Sequence, residues 1–511
     1  MATGASSDGR PQDARLRAVC DLRVPAARER GGWHGYDGVV QDLSPAGVRE
    51  GMRRLREGGE RRGDGHDERA LTAAEAAEET RFGVLQHHRW NPHLHLSNLD
   101  LGVYARPYAP EEERREARRR HVAAWPDAVD AAIESLDAVP ARVAEALLPS
   151  ARGLAEGLSS DEGAALRAHA RLLDHLEALA EASEAPLPLG GSGLAAVLGA
   201  PEALDVDLGA LVERARAEQR RLQGLLAEAC ERLSPGKAVG DVVATLTSEH
   251  PTAAGMLEEG RALTAESIEF VTSQGLLDDI DGECRVAPSP PGRRWATAAL
   301  VWAAPYEPDG PSWYYLTPPD EAWDPAQQRS WLEAFSPTTL PATTVHEVAP
   351  GHYAHGRYLR RARSDVRATL QSPAFVEGWA HYGEELCVDH GYRADDPRFA
   401  VGVALKALLR VARLHVAIGV HTGGLDEREA SAFFTEVAYL PEQVAVAESR
   451  RASFDPTYGR YTWGKLVLRD LAEQARSRWG ANFTDRRFHD ALLSLGAPPL
   501  ALAASALEPR G

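Results

Sequence analysis

The sequence predicts a mainly α-helical protein, a multi-helix body that carries one small β hairpin or sheet. Two observations carry this expectation. Ala, Leu, Arg and Glu, all good helix formers, dominate long stretches of the chain. Apolar residues recur at helical spacing from about 110 to 270, and the character changes only between about 286 and 318, where short aromatic runs alternate with turn residues. A hydrophobic fraction of 44% and a charged fraction of 26% are ordinary for a folded chain, here of 511 residues.

From the N-terminus, residues 1–14 are rich in Gly, Ser, Asp and Pro and read as a flexible tail. Residues 15–285 form an N-terminal helical region. Within it, Arg49–Arg69 reads as a solvated helix ending in a loop, and Leu71–Phe82 is helical again. The histidine-rich run His87–His95 has a spacing that suits no helical metal site. Pro92 breaks a helix there, so a loop that packs Trp90 against the body is expected. Residues 110–270 read as four to six amphipathic helices, broken at Pro140, Pro149, Pro186–Gly193 and Pro235-Gly236.

Residues 286–511 are the expected metal-site catalytic region, packed as one body with the helices before it. The run Ala287–Trp295 reads as a loop. Ala296–Tyr306 and Ser312–Pro319 read as two strands, and Tyr314 and Tyr315 on the second could line a cleft. A short helix and a Pro-bounded loop fill 319–341, and one long helix follows.

The formal charge of −18 argues against a nucleic-acid partner, whose backbone is met by Lys and Arg, and weakly against anionic membranes. No run of about 18 apolar residues occurs, and the first residues hold no apolar core of signal-peptide length. Cys20, Cys230, Cys284 and Cys387 lie far apart, as free thiols of a reducing compartment do. A cytoplasmic location and no membrane partner are therefore expected.

The chemistry gathers at Val345-His346-Glu347-Val348-Ala349-Pro350-Gly351-His352-Tyr353. Zinc peptidases place two histidines at i and i+4 on one helix, with a glutamate beside the first as general base. Here the second histidine is at i+6, roughly 120° off the first one's face in a regular helix. Pro350 and Gly351 supply the remedy, because a proline removes a helical hydrogen bond and a glycine takes backbone angles closed to other residues. A local bulge or break there could swing His352 back toward His346. A third ligand is available in Glu377, 25 residues beyond His352 and just inside a helix opened by Pro373. His381 and Glu384 share the face of Glu377 and could support the ligands by hydrogen bonding, with His381 as an alternative ligand.

At these residues the chain resembles the domain-of-unknown-function-885 family, predominantly helical proteins that resemble zinc metallopeptidases. The family's His-Glu-x-x-Pro-Gly-His matches His346 to His352, although its usual second His is Tyr353 here. Its Glu-Gly-Trp-Ala matches Glu377 to Ala380. A third block is similar to Arg413–His421, with Ala417 at a usual Asp. A fourth is partly kept in Arg450, Tyr461 and Gly464, while Asp455-Pro456-Thr457 replaces a Pro-Gly-Gln. The resemblance is specific over about 295–470. It implies ligands His346, His352 and Glu377, and Glu347 as general base. The metal implied is zinc, with other divalent cations as alternatives. His421 and Tyr461 are then candidates for oxyanion stabilisation. Arg413, Arg450, Tyr315 and His381 are candidates for substrate contact, against a purely structural hydrogen-bond network. The activity expected is hydrolysis of an amide bond in a small peptide or peptide-like substrate. A metalloenzyme acting on one specialised metabolite and a binding protein with a decayed site are the alternatives.

Overall fold

The computed structural model describes residues 6–61, 63–182, 185–278, 280–290, 293–294 and 296–508. It is mainly helical, with one three-stranded mixed sheet. Helices Ala14–Asp21, Pro45–Glu57 and His66–Glu78 close a small core around Leu16, Val19, Trp33 and Tyr36. Of the expected tail, residues 1–5 lie outside the described residues. The carbonyl of Gly9 accepts a hydrogen bond from the amide of Gly35, which ties the following segment to this core.

The histidine-rich run is not a loop. It forms two short helices, His87–Trp90 and Pro92–Leu99. Pro92 opens the second helix, where its missing N–H is not needed, and the Asn91 side chain accepts from the amide of His93. Trp90 is buried, as expected, and donates to the carbonyl of Leu85.

Among the described residues between 110 and 270 there are eight α-helices rather than four to six. They are Glu111–Ala123, Trp125–Ser135, Ala141–Gly153, Gly163–Ala180, Gly190–Gly199, α1 (Leu208–Leu233), Val239–Ser248 and Ala253–Ser273. Pro149 does not end its helix. Both it and Glu145, whose carbonyl it leaves without a helical donor, are exposed, so water can satisfy the freed group.

One hydrophobic core runs from Leu194 to Leu507, so the later helices of the N-terminal region belong to the same body as everything after them. The sheet joins the two regions. Strand β1 (Cys284–Pro288) pairs in parallel with β3 (Ser312–Leu316), and β2 (Ala298–Val301) pairs antiparallel on the other side of β3. The two expected strands are β2 and β3. β1 falls partly in the run expected to be a loop, and Pro291, Gly292 and Trp295 of that run lie outside the described residues.

The helices that build the site follow. The single long helix expected after 341 is two helices, α2 (Thr339–Glu347) and α3 (His352–Leu359). Then come α4 (Pro373–Asp389), α5 (Arg398–His421), α6 (Glu442–Phe454) and α7 (Arg460–Trp479). α2 lies against both α4 and α5, α4 packs along α7, and α1 packs along α5. A fully buried Lys465 on α7 donates to Glu218 on α1 and to Glu385 on α4 and so ties three helices at one point. Among the described residues no helix is long and apolar enough to cross a membrane.

Candidate metal centre

The helix break falls at the Pro-Gly pair. α2 ends at Glu347, Val348 leaves helical geometry with ψ −87°, and α3 begins at His352. The amide of Gly351 folds back to donate to the carbonyl of Val345 at 3.1 Å. A Cβ at 351 would lie 1.8 Å from the carbonyl oxygen of His346, so only glycine permits this approach. The break turns His352 toward His346, and their rings stand edge to face with centroids 4.7 Å apart.

Glu377 arrives from α4. Ser372 caps that helix by accepting from the amide of Phe375 at 2.9 Å, and Pro373 occupies the first turn. The Ser372 hydroxyl also bonds the Glu202 carboxyl, which burial pushes up to about 7. One turn into α4, Oε2 of Glu377 lies 3.5 Å from Nε2 of His346 and 3.3 Å from Nε2 of His352. Ligands about 2.0–2.1 Å from a tetrahedral ion are about 3.3 Å from each other. One ligand atom from each of the three residues lies within 4.8 Å of the others, which makes them a candidate metal-binding group. Burial opposes ionisation of Glu377, but His352 and then His346 hold its carboxyl well below the usual range.

The ring of His346 is held from behind. Its Nδ1 is 2.6 Å from Oε1 of Glu384, which leaves Nε2 for a cation. Glu384 is completely buried and accepts from Nη1 of Arg410 at 2.7 Å. Burial works against its charge, but Arg410 and His381 keep the carboxyl well below its ordinary value. Glu347, the residue after the first histidine, accepts from the amide of Leu300 on β2 at 2.9 Å. The small sheet therefore meets the centre at its free edge.

The other expected site residues separate into two sets. Tyr461 and Arg413 lie close to the ligands. The Tyr461 ring is 6.2 Å from that of His346, and the guanidinium carbons of Arg410, Arg413 and Arg460 lie 5.5–5.7 Å from its centroid. Arg413 is paired with Glu448 at 2.8 Å. His421, Arg450, Tyr315 and His381 are directed elsewhere. His421 is buried and bonds the carbonyl of Ala452, linking α5 to α6, and burial pushes its imidazole down to about 4. Arg450 is at the surface with Glu145 and Glu427. Tyr314 reaches Thr344 on α2, whereas Tyr315, on the opposite face of β3, stacks with Trp313. His381 is wholly enclosed beside Glu384 and Arg410, where no substrate reaches it, and burial pushes it down to about 3.

Two of the three departures from the family pattern also find places. Tyr353 is buried and donates to the carbonyl of Asp281. Asp455 accepts from both Arg451 and Arg460. Arg410, Arg451, Arg460 and Lys406 were not anticipated. The signal for two of them was helical spacing: Lys406, Arg410 and Arg413 fall at i, i+4 and i+7 and so share one face of α5.

With the geometry in place, comparison with known proteins defines the class. The family model described as "Bacterial protein of unknown function (DUF885)" matches residues 25–507. The chain belongs to the DUF885 family. Two solved structures share its fold along nearly the full length. A candidate lipoprotein of unknown function from Shewanella oneidensis is 19% identical, with 96% of each chain covered and a TM-score of 0.75. A candidate lipoprotein from Colwellia psychrerythraea is 16% identical, with 97% of each chain covered and a TM-score of 0.77. Among curated proteins none matches.

Proposed function

We propose that this protein is a zinc-dependent, metallopeptidase-like hydrolase that cleaves an amide bond in a peptide or peptide-like small molecule. The observation that carries the reading is the convergence of His346, His352 and Glu377 beside Glu347. Two imidazoles and one carboxylate are a donor set that suits zinc and leaves a fourth position for reactants. When bound, the ion supplies Lewis-acid polarisation of the scissile carbonyl and of the attacking water.

Glu347 is the general base. The Leu300 amide holds one of its carboxylate oxygens. The other is left to take a proton from the water as its oxygen bonds the carbonyl carbon. The same proton then passes to the leaving nitrogen as the C–N bond breaks. Tyr461, whose ring lies beside that of His346, is the residue assigned to donate its hydroxyl to the oxyanion that develops on the carbonyl. Glu384 and Arg410 fix the tautomer and orientation of His346.

The runner-up is one specialised metabolite as substrate, favoured by Asp455, which stands where the family pattern differs and binds two of the nearby arginines. Digestion of a peptide library separates the two, because absence of cleavage at full zinc occupancy selects the metabolite. The four cysteines are unpaired, as suits the cytoplasm, whereas the two structural neighbours are described as candidate lipoproteins. Cell fractionation decides between the compartments.

The test of the mechanism is Glu347→Gln. Zinc content stays at the parental level while peptide turnover falls by roughly 10²–10⁴-fold. Turnover close to that of the parent, or loss of zinc, contradicts the role of Glu347.

A further inference from the structure

The centre sits beside an excess of positive charge in a chain whose net charge is −18. Five cations surround Tyr461 and the His346–Glu384 pair: Lys406, Arg410 and Arg413 on α5, Arg451 on α6 and Arg460 on α7. Three carboxylates answer them. Glu384 takes Arg410, Glu448 takes Arg413, and Asp455 is shared by Arg451 and Arg460. In the proposed hydrolase the remaining carboxylates, Glu347 and Glu377, are matched by the charge of the divalent ion. Two positive charges are left over.

Lys406 is the cation of this group without a partner. Among the described residues it makes no ion pair or hydrogen bond, although it is only partly exposed. It stands one helical turn before Arg410, whose guanidinium touches His346, and it feels the charges of both Glu384 and Glu347. Burial, and after it Arg410, push its ammonium down to about 8. The four arginines already donate to carboxylates. Lys406 has all three of its donors free.

Resting on the hydrolase reading, we propose that Lys406 anchors a free carboxylate of the substrate next to the scissile amide. One residue of extended chain spans about 3.5 Å. A carboxylate held by a side chain one helical turn from Arg410 therefore belongs to a residue adjoining the bond that is cut. Such a carboxylate comes either from a peptide C-terminus, which makes the enzyme a carboxypeptidase, or from an acidic side chain.

The test is calorimetric binding to the Glu347→Gln protein incubated with zinc, which holds its ligand without consuming it. The probes are N-acetyl-Ala-Ala-Ala as the free acid, the same peptide as its C-terminal amide, and N-acetyl-Ala-Asp-Ala amide. The free acid binds at least about tenfold more tightly than its amide. Adding Lys406→Ala removes that preference, adding Lys406→Arg restores it, and zinc content is the same in all three. If the aspartate-containing amide binds as the acid does, and that affinity also depends on Lys406, the anchored carboxylate is a side chain's and the proposal stands. Equal affinities, no binding of any probe, or a preference that survives Lys406→Ala overturns it. The parent protein separates this from the hydrolase reading. A Lys406-dependent preference without cleavage of any probe sinks the hydrolysis and leaves the anchor.

Discussion

Two parts of this molecule are rich in histidine, and they use it in opposite ways. In the segment from His87 to His95 the imidazoles meet aromatic rings and a carbonyl. His87 stands edge-on to Trp90, His88 leans on Phe82, His93 on Phe454, and His95 donates to the carbonyl of His88. Burial pushes His87 down to about 3 and His88 and His95 to about 4. At the candidate metal centre, burial and Arg410 also act against a charged His346, yet the carboxylates of Glu377 and Glu384 outweigh them and raise it. Histidine count by itself therefore says little about metal binding. What matters is whether a carboxylate stands behind one ring nitrogen and another stands beside the second.

Gly351 is the position at which a single substitution does most damage to the metal centre. Gly351→Ala forces a Cβ onto the His346 carbonyl, so the approach of the two histidines is lost. The expected cost is roughly 3 kcal/mol or more in unfolding free energy, together with loss of zinc. A variant with parental stability and zinc content would show that the helix break does not need glycine.

The acid response of the N-terminal histidines sharpens the contrast next. His95 is held neutral in the folded protein, so the unfolded chain takes up that proton first as the pH falls. Its contribution is present at neutral pH and is lost between 6.5 and about 4, a change of about 3 kcal/mol at most. His95→Gln keeps a donor for the His88 carbonyl but does not titrate. Urea unfolding of both proteins at pH 7 and pH 4.5 should show a smaller loss for the variant. Equal losses would remove His95 from the acid response.

The smallest effect is expected behind the first ligand. Glu384→Ala leaves His346 without its Nδ1 partner and lowers zinc affinity by about 10–100-fold, read by chelator competition. Unchanged affinity would mean that Arg410 alone orients the ring.

Much of the site was legible before the fold was. His346, Glu347, His352 and Glu377 stand in a run whose spacing demanded a helix break, and Pro350-Gly351 marked where it falls. Pro373 likewise marks the start of α4 and puts Glu377 just inside it. Residues that depend on contacts between distant helices were harder to read. His421 and Arg450 match the family pattern, but their directions are set by how α6 packs on α5, which no local period encodes. β1 carries no local signal, because its pairing with β3 is parallel and non-local and Pro288 reads as part of a loop. The extra helices of the N-terminal region were hidden for a different reason. At Ala124, for example, one helix passes straight into the next with no loop between them, and Pro126 in the first turn of the second helix is the one local mark of the break.

The most direct measurement is zinc per chain after incubation with the metal and dialysis, for the parent, His346→Ala and His95→Ala, with circular dichroism to confirm the folded state. One ion in the parent and in His95→Ala, and none in His346→Ala, is the predicted result. Full zinc in His346→Ala, or its loss in His95→Ala, would contradict the assignment of the cation to the Pro-Gly break.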